Sequence, residues 1–113
     1  MKTSKNEVTL RGRIGKKLKV TPFATDKSVV RTSLVTNDRY KKDGEWNEDT
    51  QWHNLVFWGK QASFAELNLR KGMLIEIKGK LKNSSFTDQE TGAMRHISEV
   101  VVETAWEVKE TNN

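Results

Sequence analysis

The sequence has 113 residues, 35% hydrophobic and 31% charged, with twenty Lys and Arg against fifteen Asp and Glu and hence a net charge of +5. That length holds one hydrophobic core and not two, and the lack of cysteine excludes a disulfide scaffold or a thiolate metal site. The basic surplus, with a pI near 9.6, attracts polyanions without naming one.

Along Glu7 to Leu18, Val8, Leu10, Gly12 and Ile14 alternate with Thr9, Arg11 and Arg13, the period of a half-buried strand. Gly12 and Gly15 interrupt it, as bends in a barrel wall require, and Pro22 closes the unit. A second strand is expected from Lys27 to Asn37, rich in Val29, Val30, Thr32, Val35 and Thr36. The charged stretch Asp38 to Asp49 follows as a long hairpin arm with Asp43-Gly44 as its turn. A third strand spans Thr50 to Trp58, and Gln61 to Lys71 is the one helical segment, with Gly72 placed to close it.

The fourth strand runs from Met73 to about Phe86, and a turn ending at Gly92 leads to the fifth, Arg95 to Val108. The order βββαββ predicts an all-β protein with one short helix, a five-stranded oligonucleotide-binding (OB) Greek-key barrel. Residues 1–109 form that domain and 110–113 a short polar end. No run approaches the roughly 18 apolar residues of a membrane span, and the start, Met1 to Val8, lacks the apolar core of a signal peptide, so a cytoplasmic protein with no membrane partner is expected.

Alternation puts Leu55, Phe57 and His53 on one side of the third strand and Trp52, Asn54, Val56 and Trp58 on the other. Six residues of extended chain separate the two tryptophans by roughly 20 Å. Their face is either a core or subunit contact, or a place for ligand. The fourth strand favours the ligand. Ile75, Ile77 and Leu81 share one parity, whereas Lys78, Lys80 and Lys82 share the other, and without a bulge that lysine side ends at Phe86. Lysines meet phosphates and an aromatic ring stacks on any base.

Tyr40 beside Lys41 and Lys42 sits in a charged segment with little core to enter, whereas Trp46, between Glu45 and Glu48, suits a phosphate backbone less and is left out. Trp106, sharing parity with Val100 and Val102, reads as structural, and Phe23 and Phe64 as packing residues. His53 and His96 have no companion ligands for a metal, and no serine elbow, acid pair or phosphate-cradling glycine loop is present. No catalytic residue, metal or cofactor is expected.

The segments Asn6 to Gly15, Thr50-Gln-Trp-His53, Phe57-Trp-Gly-Lys60, Leu69-Arg-Lys-Gly72, Lys78-Gly-Lys-Leu81 and Phe86-Thr-Asp-Gln89 together resemble the bacterial single-stranded DNA-binding protein family, over nearly the whole chain. The resemblance implies a homo-oligomeric barrel, tetramer or dimer, that binds single-stranded DNA in replication, recombination or repair and is associated with the nucleoid. It matches Tyr40, Trp52, Trp58 and Phe86 to base platforms, Lys60 and Lys71 to basic positions near the DNA, and His53 to a subunit interface. Arg11, Arg13, Lys41, Lys42, Lys80 and Lys82 complete the phosphate contacts expected from the residues themselves.

Two departures stand out. Asn83, Ser84 and Ser85 are neutral where the family often has Arg or Lys before the aromatic at Phe86, so fewer phosphate contacts are expected there. The sequence stops at Lys109-Glu-Thr-Asn-Asn113 without the acidic tip that recruits repair and replication enzymes in the family. Either that tip lies outside this sequence or the chain is a tailless relative. The competing expectation is a primosome-type adaptor with the same barrel, working through protein contacts; RNA as ligand and a nuclease on this barrel are further alternatives.

Overall fold

The alternating segments fold as strands wherever one face can be buried. The computed structural model describes residues 3–110, in the order β1 (Val8–Ile14), β2 (Lys19–Ala24), β3 (Lys27–Lys42), β4 (Glu45–Trp58), α1 (Lys60–Asn68), β5 (Leu74–Thr87) and β6 (Met94–Glu107). The sheet runs β1-β5-β6-β4-β3-β2, and β1 also pairs with β3 through Arg13 and Ile14. That second pairing closes β1, β5, β6, β4 and β3 into the expected five-stranded OB barrel. The parallel joint of β4 and β6 spans only Asn54 to Val56 against Glu99 to Val101. Past it the β3–β4 and β5–β6 hairpins leave the barrel as two arms.

Ile14, Val30, Leu34, Leu55, Phe57, Ile75, Ile77, Val100 and Val102 fill the barrel, and Ala62, Ala65 and Leu69 bring the helix segment onto that core. Deep burial of this apolar set supplies the main driving force for folding. Where strands cross, side chains must vanish. A Cβ on Gly12 would lie 2.1 Å from the Val35 carbonyl oxygen, and one on Gly79 would lie 2.1 Å from that of Val101. Gly12→Ala is therefore expected to lose about 1–3 kcal/mol and roughly 4–20 °C in thermal midpoint. An unchanged midpoint in a calorimetric scan would mean that β1 and β3 do not approach this closely.

Four expectations need correction. The first strand is not continuous to Leu18: it stops at Ile14, and β2 adds to the free edge of β3. Pro22 lies inside β2 rather than ending a unit, which an edge strand tolerates because its outer N–H positions need no partner. The helix is shorter than expected, Lys60–Asn68, because Leu69 turns extended; Gly72, at φ 90, shapes the turn beyond it. Ala62, Ala65 and Leu69 face the core, leaving Phe64 and Leu67 outward.

Trp106 is the fourth. Lys78 pairs with Thr104 but Gly79 pairs with Val102, so Glu103 is an extra residue in β6. This bulge reverses the alternation. Ala105, opposite Ile77, packs on the core, and Trp106, opposite Glu76, stands outside and 39% exposed. At the polar end, Glu110 pairs with Arg13, and 111–113 lie outside the described residues.

Candidate nucleic-acid interface

The β3–β4 arm builds most of the candidate surface. Asp43 and Gly44, at φ 52 and 80, form its two-residue turn, and the pairing runs unbroken from Lys42–Glu45 to Val29–Trp58. Directly opposed residues share a face. Trp52 therefore stands outward with Val35, and Trp58 with Val29, whereas Leu55 and Phe57 point to the core. Trp52 and Trp58 remain 56% and 44% exposed.

Each tryptophan is held from beneath or beside. A Cβ on Gly15 would meet the Trp52 ring at 2.5 Å, so that glycine is the floor on which the ring rests. The Trp58 ring meets Phe23 edge-on, with centroids 5.7 Å apart, and the Arg31 guanidinium lies 6.0 Å from its centre. Phe23 thus packs, as expected, but on Trp58 and from an exposed position instead of in the core. Arg31 is not among the residues expected from the sequence, where β-branched neighbours surround it; its parity with Val29 and Val35 is the signal that points to this face. Arg31 also pairs with Glu99 at 3.1 Å.

Across the joint, Asn54, Glu99 and Lys82 form one row and Val56, Val101 and Lys80 the next. Lys80 and Lys82 therefore lie two strands, roughly 10 Å, from the stretch of β4 between the tryptophans. The bulge adds its residue to β6, so β5 keeps its alternation and Phe86 continues the lysine side, 52% exposed. Opposite Phe86 stands Arg95, placed there by a strand pairing remote in the chain. Arg95 donates to Asp88 at 2.9 Å.

Asp88 also accepts the backbone N–H groups of Glu90 and Thr91, and these bonds, Glu90 first, then Arg95 and Thr91, hold its carboxyl below the ordinary 3.8. A depressed acid favours the fold above its unfolded value and loses that contribution as pH falls through the folded one, so this turn is fully braced at neutral pH. Between the arms, a cleft of about 300 Å³ is lined by Trp52, His53, Asn54, Leu81, His96 and Ser98, among others.

The other expected residues divide. Arg11 and Arg13 point outward, ion-paired to Glu76 and Glu110. Lys41 shares the Trp52 face of the arm, but Tyr40 and Lys42 take the opposite face, paired with Asn47 and Glu45. Tyr40 is 47% exposed there. Lys60 opens α1 one residue beyond Trp58, after Gly59, and Lys71 lies past its other end beside Lys17 and Arg70. His53 faces away from the tryptophans as parity required and shares a 2.9 Å hydrogen bond with the Thr36 hydroxyl. Among the described residues no group of three His, Asp or Glu could hold a metal ion, and no helix is long and apolar enough to cross a membrane.

The same chain aligns with known proteins almost end to end. The model of the single-strand binding protein family matches residues 5–108. "Single-stranded DNA-binding protein 1" of Chlorobaculum tepidum is 35% identical over 97 residues, covering 85% of this chain, which spans 60% of that relative's length. A solved Plasmodium falciparum SSB complex with ssDNA superposes with a TM-score of 0.83 at 21% identity, over 96% of this chain and 99% of that one, and so has the same fold. With a family match that takes in every strand of the barrel and the helix, the chain belongs to the single-strand binding protein family.

Proposed function

We infer that residues 1–109 act as one domain that binds single-stranded DNA with little sequence preference and performs no chemistry on it, in replication, recombination or repair. Bases stack on Trp52, Trp58, Phe86 and Tyr40, and phosphates meet Arg11, Arg13, Lys41, Lys42, Lys60, Lys71, Lys80 and Lys82. The observation that carries this reading is the pair of outward tryptophans on β4 with lysine rows crossing between them. Rings set in a basic surface suit an unpaired strand, whose bases are free to stack, better than a duplex, whose bases are not. The names of the matched relative and of the superposed complex point the same way.

The protein works as a homo-oligomer, tetramer or dimer, with His53 near the contact. Support comes from β1, whose N-terminal half pairs only with β5 and offers its other edge. Its setting is the cytoplasm, with the nucleoid.

Titration with oligo(dT), followed by tryptophan fluorescence and light scattering, tests both statements. Strong quenching at saturation, with a mass above that of one chain, is the expected result, and duplex DNA of equal length should quench far less. Little quenching by oligo(dT) would favour an adaptor that docks proteins through the same face.

A further inference from the structure

Resting on that reading, we propose that Trp46, at the tip of the β3–β4 arm, is a further base-stacking platform, extending the binding path along β4 beyond Trp52. Tryptophans stand at 46, 52 and 58, six residues apart each time, so all three share the outward face of β4. Each interval is roughly 20 Å of extended strand before twist is counted. Exposure rises along the series, 44% at Trp58, 56% at Trp52 and 65% at Trp46, the last being among the most exposed large apolar side chains described. A ring so bare at a hairpin tip buries nothing of the barrel core.

Its neighbours repeat those of Trp58. The Arg39 guanidinium lies 5.8 Å from the Trp46 ring centre, as Arg31 lies 6.0 Å from that of Trp58. In both cases the arginine is on β3, one diagonal step toward Trp52 from the residue opposite the ring. Lys41 is opposite Trp46 itself. A ring flanked by two cations can stack on a base while the cations meet the phosphates on either side.

The acidic flanks do not oppose this. Glu45 is opposite Lys42, on the other face of the arm, and only Glu48 shares the Trp46 face, where it stands opposite Arg39. Sequence proximity joined both carboxylates to the ring, and strand alternation separates one of them.

The test compares Trp46→Ala, Trp46→Phe and Trp52→Ala in oligo(dT) binding measured by anisotropy, each checked for an unchanged thermal midpoint. Trp46→Ala should weaken binding to a long oligo(dT) about 5- to 150-fold, with the same salt slope as the parent because no phosphate contact is lost. Trp46→Phe, which keeps an aromatic face, should recover most of the loss. On oligonucleotides too short to reach from Trp58 past Trp52, Trp46→Ala should match the parent. If Trp52→Ala weakens binding but Trp46→Ala leaves long oligo(dT) unaffected, the platform is wrong and the binding function stands. If the parent itself fails to bind, the functional reading falls and this proposal with it.

Discussion

Replacing Trp52 and Trp58 together by alanine is expected to weaken oligo(dT) binding by about 2–6 kcal/mol, roughly 30- to 25,000-fold. The estimate adds two independent stacks. Addition is justified because the rings sit far apart on β4, in separate surroundings, Trp52 over Gly15 and Trp58 against Phe23 and Arg31. Neither ring belongs to the buried cluster, so the thermal midpoint should change little by comparison. A double variant that binds as the parent does would remove both rings from the path, and an additive loss in the single variants would support separate stacks.

The second large effect is that of salt. Lys41, Lys42, Lys60, Lys71, Lys80 and Lys82 form no ion pair among the described residues, whereas Arg11, Arg13, Arg31 and Arg95 each have a carboxylate partner. If the six lysines each neutralise a phosphate, log K falls with log salt at a slope of about −4, and affinity drops roughly 300-fold between 50 and 200 mM salt. The paired arginines add less, since each gains a phosphate only by giving up a carboxylate. Affinities measured across that salt range give the slope directly. A slope near zero would leave the lysines as solvent-facing charge and binding to the rings alone.

Much of this was legible in the sequence because its signals are local. Alternation set which residues of β4 face the core, Asp43-Gly44 marked the arm's turn, and the unbroken period of β5 carried Phe86 to the lysine side. What escaped depended on pairing partners remote in the chain. The bulge at Glu103 exists only against Gly79, and without it Trp106 counts as inward. Likewise β2 could not be separated from β1 by its own residues, since its bounds come from the edge that β3 offers. Arg31 and Arg95 lie beside Trp58 and Phe86 only through register with strands remote in the chain. Tyr40 shows the reverse: adjacency to Lys41 grouped them, and the pleat puts them on opposite faces.

The seat of Trp52 has a consequence for how tightly a base can be held. With a backbone surface at Gly15 beneath it and the Val35 side chain close by, the indole has few orientations to choose among before any ligand arrives. Immobilising a freely rotating side chain on binding costs roughly 0.5–1.5 kcal/mol. If Trp52 stacks on a base as proposed, that ordering is already completed during folding, more of the stacking energy remains as affinity, and Gly15 helps set its strength.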